Sequence, residues 1–143
     1  MSSVDDYTLS VEKAKCYRGI AKVKLEALNF DHPLTRKKHR KVSQKNVNRL
    51  GKIFSQGGCF RLQQENFVNA VIDDAALETS LSSIGLTEDT FLRLREGEPL
   101  PCLNINNVDC LSGLHRIEAA REFLDDNDQW WVVRFFSKGR NAT

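Results

Sequence analysis

No hydrophobic run in this chain of 143 residues approaches the roughly 18 residues that a helical membrane span requires. The start, Met-Ser-Ser-Val-Asp-Asp, has neither the basic opening nor the apolar centre of a secretion signal, so a cytosolic or nuclear location is expected. An excess of one charge is also lacking. Lys and Arg number 21 against 19 Asp and Glu, and a net charge of +2 does not by itself predict a polyanionic partner. The four cysteines, at 16, 59, 102 and 110, form no Cys-x-x-Cys pair, and no neighbouring His-x3-His occurs, so a structural zinc site is not expected. A chain of this length with 41% hydrophobic residues builds its own core without disulfide staples, which makes free thiols the expectation.

What is present is the composition of an ordinary globular domain, with 28% charged residues and no internal repeat. Residues 1–16 show no strong period and read as an arm, 17–136 as one domain and 137–143 as a tail. From Gly19, the pattern Ile20, Val23, Leu25, Leu28 with lysines between predicts a half-buried strand, closed by a turn at Asn29 to Pro33. Ser43 is placed to cap a helix carrying Val47, Leu50 and Phe54, which Gly57-Gly58 would end. Residues 66–72 predict a buried strand. Leu77, Leu81 and Ile84 predict a helix stopped at Gly85, and Thr87 begins another, running to about Glu96, with Leu86 and Phe91 as its hydrophobic staple. Leu103 to Leu111 reads as a strand, Leu114 to Leu124 as a helix and Trp130 to Phe136 as a closing strand. The fold class expected is mixed α/β, a small curved sheet flanked by helices.

Chemistry concentrates where the strand ending near Leu111 gives way to a helix through Ser112-Gly113. Unpaired backbone N–H groups and the positive end of a helix dipole face one small space there, and phosphate suits that space. Gly113 permits close approach, Arg116 offers a planar fork of donors, and His115 projects away from Ile117 and Leu124. The alternative is structural: Arg116 pairs with a carboxylate and His115 caps the loop. The basic run from Arg36 to Lys41 is either a solvated loop or a contact for phosphate or nucleic acid. Asp73-Asp74 is either a helix cap or a magnesium ligand pair, with the cap favoured. Trp130 and Trp131 alternate faces, so one belongs to the core and the other is free to mark a surface.

Cys110-Leu111-Ser112-Gly113-Leu114-His115-Arg116-Ile117-Glu118-Ala119-Ala120-Arg121 resembles the G-x-[HR]-R-x-x-A box of the ParB/sulfiredoxin superfamily. Tyr17 to Val23, Asn46-Val47 through Gly58-Cys59, Glu65-Asn66 and Trp130-Trp131 extend the likeness. Over about residues 17 to 136 the chain is similar to the ParB-like domain of a fungal family of uncharacterised proteins. The resemblance implies binding of CTP or of ATP/ADP, with or without Mg2+, at Gly113, Leu114, His115 and Arg116, joined by Arg40 or Arg36 from an upstream box. Sulfiredoxins carry their reactive cysteine, and partition proteins commonly a glutamate, where Leu114 stands, so binding with little turnover is implied. No helix-turn-helix pattern follows residue 136. The alternatives are a nucleic-acid-binding or nuclease domain acting through residues 36–41, and an interaction module that keeps the fold for protein contacts alone.

Overall fold

The computed structural model describes residues 16–30, 43–56, 61–95 and 98–138. Strand β1, Tyr17–Lys24, alternates as a two-faced strand must: Ala21 and Val23 enter the main core, while Ile20 packs on the opposite face with Phe67 and Val132. Strand β5, Trp130–Ser137, runs antiparallel to it from Tyr17↔Phe136 to Lys24↔Trp130. Strand β3, Val68–Ile72, lies parallel to β5 on its other side. Strand β4, Val108–Cys110, pairs antiparallel with β3, and the two-residue β2, Leu28–Asn29, completes the far edge parallel to β4. The result is an open, mixed, five-stranded sheet in the order β1-β5-β3-β4-β2.

Four helices accompany the sheet among the described residues: α1, Gln44–Ser55; α2, Asp74–Ser83; α3, Glu88–Leu92; and α4, Leu114–Phe123. Ser43, Asp73 and Thr87 cap the first three, each side chain accepting from the backbone N–H three residues on. Asp73 is thus a cap, and Asp74 pairs with Arg18 at 3.3 Å. At the end of α2, Leu86 N–H donates to Leu81 O and Gly85 N–H to Ser82 O, the paired closure expected of a glycine stop. Helix α1 buries Val47 and Gly51 and packs along α4, where the Phe123 ring lies over Gly51 with no room for a Cβ between them.

The staple predicted at Leu86 and Phe91 forms: Phe91 is fully buried, Leu86 packs against the same core, and the Phe91 and Phe135 rings stand 6.3 Å apart. Trp131 is fully buried and donates its indole N–H to Asn66 O at 2.9 Å. Each such side chain contributes on the order of 1.5–3 kcal/mol of burial free energy.

Three expectations are corrected. The first strand does not run on through Leu28: β1 stops at Lys24, Leu25–Ala27 make a 3-10 turn, and Leu28 crosses to the opposite edge of the sheet. Leu25 and Leu28 look like strand residues because both are buried in the main core, but Leu25 reaches it from the 3-10 turn and Leu28 from the far-edge strand β2. Second, α3 ends at Leu92, with Arg93 as its cap, rather than near Glu96. Third, the strand predicted over 103–111 shrinks to Val108–Cys110. Cys102 forms a single bridge to Lys22 at the edge of β1, and Leu103 N–H donates to Lys22 O, after which the asparagine-rich stretch bends away before pairing resumes. Residues 1–15 of the arm, the basic run 36–41, the stop at Gly57-Gly58 and Cys59 lie outside the described residues. Among the described residues no helix is long and apolar enough to cross a membrane.

Candidate functional site

The turn from β4 into α4 is tied to β3 from both sides. Leu111 N–H donates to Asn69 O at 2.7 Å, and Asn69 N–H donates to Ser112 Oγ at 3.1 Å. Gly113 follows at φ +89°, a left-handed conformation that side chains resist. It also lies so close to β3 that a Cβ there would sit 2.6 Å from Val68 Cγ2. Glycine is therefore required twice, once by torsion and once by space.

No side chain caps α4, and the first hydrogen-bonded amide of the helix is that of Ile117, which donates to Gly113 O at 3.0 Å. The N–H groups of Leu114, His115 and Arg116 are left at the positive end of the helix dipole. All three residues are half-buried. Arg116 has neither a hydrogen bond nor an ion pair among the described residues. Nearby carboxylates do not claim it, because Glu118 takes Arg121 at 2.7 Å and Glu122 accepts from Gln44 Nε2 at 3.3 Å.

His115 behaves differently. Its Nε2 accepts the backbone N–H of Ser43 at 3.1 Å, which binds the start of α1 to the first turn of α4. That atom must carry a lone pair to accept, so the ring bears its proton on Nδ1. Of the two sequence alternatives the structure divides the honours: His115 caps the incoming loop, whereas Arg116 has no carboxylate. Leu114 stands at the first helical position, and Arg36 and Arg40 lie outside the described residues. Sequence reasoning missed Asn69 and Ser43 as walls of this turn. Their signal is weak, since both act through backbone atoms.

Behind the turn, Cys110 is fully buried and burial pushes its thiol from 9.0 up to about 12, against smaller opposing effects of an Asn29 backbone hydrogen bond and of Arg121. It is not a nucleophile at neutral pH. Cys16 and Cys102 are also free thiols, the latter exposed. Among the described residues no group of three or more His, Cys, Asp or Glu side chains is arranged to hold a metal ion.

Residues 16–143 match the family described as protein of unknown function (DUF3723) N-terminal domain. The chain belongs to this family. No curated protein and no solved structure matches it. In this DUF3723 domain the helix pair α1/α4, the Gly113 turn and β3 thus form one connected unit, held by the Ser43–His115 and Asn69–Ser112 hydrogen bonds. Trp130, the tryptophan left outside the core, is covered by the domain's own cations: the Arg61 guanidinium lies 3.4 Å from its ring centroid and Lys22 Nζ 4.7 Å.

Proposed function

We propose that the Gly113 turn binds the phosphates of a nucleotide, CTP or ATP/ADP, in the manner of the ParB/sulfiredoxin-like domains that its box resembles. The observation that carries this reading is Arg116: a half-buried guanidinium with no partner among the described residues, beside three helix-start N–H groups. An arginine held in that state for structural reasons would ordinarily be found on a carboxylate, and two glutamates on its own helix are engaged elsewhere. The upstream Arg40 stands three residues before Ser43, a span of at most about 11 Å of extended chain. Turnover by a thiol is not part of the proposal, given Leu114 at the position before His115 and the buried Cys110 behind it.

Titration calorimetry with CTP, ATP, ADP and GTP, with and without magnesium, tests it. Saturable binding of one of them is expected, and Arg116→Ala weakens it at least about tenfold, or about 1.4 kcal/mol, with an unchanged melting temperature. No binding of any of the four at millimolar concentration would refute the proposal. A nucleic-acid partner on the run Arg36 to Lys41 is the second reading. It is favoured by the tether of Ser43, two residues beyond Lys41, to His115. Such binding would weaken steeply as salt rises.

A further inference from the structure

The face of the sheet opposite the main core is only partly covered by the described residues. Along β5 it is formed by Trp130, Val132 and Arg134, and beside them Ile20 and Phe67 build a small second cluster. At one end of this face lies a cavity of about 490 Å³, walled by Arg134, Tyr17 and Gln64 from the sheet side and by Leu92, Arg93 and Arg95 from the end of α3. Among the described residues no carboxylate lines it.

Three features suit this cavity to an anion with an apolar body. Arg134 is fixed in place: Nη1 donates to Asn69 Oδ1 at 2.9 Å, Nη2 to Gln64 O at 3.2 Å, and the guanidinium stands 5.4 Å from the Phe67 ring centroid. Those bonds use two of its five N–H groups and leave the others for a guest. The Arg95 guanidinium has no partner among the described residues, the Glu98 carboxylate accepting only the Arg95 backbone N–H at 3.1 Å, and the Arg93 guanidinium is engaged through Nε, 3.3 Å from the exposed Asp89. Three cationic forks exceed what one carboxylate can satisfy, and with Asp89 offsetting one of their three charges they balance the nearly two negative charges of a phosphate monoester and offer donors to its three terminal oxygens. The rest of the wall is apolar: Leu92 is 44% exposed although it stands beside a cavity, and the Tyr17 ring packs edge-on against Phe136 at 5.8 Å.

We propose that this cavity binds a small phosphate monoester carried on an aromatic or similarly compact apolar group. The cavity volume lies within the roughly 300–1,000 Å³ of ordinary small-molecule sites. The phosphate sits among Arg93, Arg95 and Arg134, and the apolar group rests against Leu92 and Tyr17. Burial raises the Tyr17 phenol above its ordinary 10.0, with Arg134 acting in the opposite sense, so the hydroxyl keeps its proton and donates to the guest. The site shares no ligand-facing residue with the Gly113 turn.

The test uses the full chain and three probes, namely phenyl phosphate, inorganic phosphate and phenol, followed by calorimetry and by NMR shifts of the Tyr17 ring. Phenyl phosphate is expected to bind saturably, with an affinity at least about tenfold above either of the other two. The double variant Arg93→Gln/Arg95→Gln changes only exposed side chains and should weaken phenyl phosphate at least about tenfold without altering stability. Arg116→Ala should leave it unchanged, which separates this site from the nucleotide proposal. The inference is overturned by the absence of saturable phenyl phosphate binding at millimolar concentration. It is equally overturned by inorganic phosphate binding as tightly, by full binding in the double variant, or by loss of binding in Arg116→Ala.

Discussion

Replacing Gly113 with alanine adds one methyl group at the point where the site's backbone touches the sheet. Two costs arise. An L-residue held at φ +89° is strained by about 1–2 kcal/mol. The new Cβ would also lie 2.6 Å from Val68 Cγ2, well inside the ~3.5–4.0 Å of a comfortable carbon contact. Val68 is fully buried on β3, a strand paired on both sides, so it has little freedom to retreat, and overpacking of this kind costs about 1–3 kcal/mol. Together the substitution should destabilise the domain by about 2–5 kcal/mol, a large part of the roughly 5–15 kcal/mol typical of a folded domain. Urea unfolding followed by tryptophan fluorescence reads it through Trp131, which moves from core to solvent. With a slope of about 2 kcal/mol per molar, the midpoint falls by about 1–2.5 M. The same substitution in a Val68→Ala background isolates the steric part, since the offending methyl is then absent and only the torsional 1–2 kcal/mol, roughly, remains. A Gly113→Ala protein within about 0.5 kcal/mol of the wild type would refute the reasoning, and equal losses in both backgrounds would refute its steric half.

Arg121→Ala removes a guanidinium that donates to Leu25 O at 3.0 Å and Leu28 O at 2.6 Å, and should cost about 2–4 kcal/mol in chemical denaturation because two carbonyls of the 3-10 turn lose their donor. His115→Ala strands the Ser43 amide and should lower stability by about 1–3 kcal/mol, with hydrogen exchange accelerated at the start of α1; His115→Gln, which keeps an acceptor, should recover part of the loss. Alkaline titration should destabilise the fold. Cys110, raised by burial from 9.0 to about 12, and Tyr17, also raised chiefly by burial, hold their protons more tightly when folded, so stability is intact below pH 9 and falls above it. Cys110 alone contributes about 1.4 kcal/mol per pH unit across its window, and Cys110→Ala should flatten the urea-midpoint profile between pH 9 and 11, roughly, by that slope. A maleimide should label exposed Cys102 in the native protein and reach Cys110 only on unfolding, which mass spectrometry of tryptic peptides resolves.

The helices were legible in the sequence because their signals are local. Ser43 and Thr87 cap where the hydroxyl precedes an apolar period, and the Leu86–Phe91 staple follows from spacing alone. The end of β1, the separate strand β2 and the short extent of β4 were not, because strand pairing is a decision made elsewhere in the chain. Leu25 and Leu28 extend the pattern of β1 without a break, yet Arg121, almost a hundred residues on, binds their carbonyls and holds the turn that separates them. At the site, Gly113, His115 and Arg116 are visible from residue types and order. Their division of labour is not, since it depends on Ser43 returning beside α4 and on which glutamates are already engaged. The arginine-lined cavity was invisible for the same reason: Arg93 and Arg134 are forty-one positions apart and only the sheet brings them together.

The order of strands also bears on how the domain is made. β5 contains the last residues of the sheet to leave the ribosome, yet it occupies the second position, between β1 and β3. Until Ser137 has emerged, β1 and β3 each present an open edge with nothing between them, and Val133 and Phe135 are missing from the core. Such a domain cannot be assembled piecemeal from its beginning. A nascent chain halted before Trp130 would expose two unpaired strand edges, a state prone to aggregation. The sheet therefore cannot be completed before residues 130–137 have joined it, and every earlier stage leaves β1 and β3 unpaired on the sides that β5 covers.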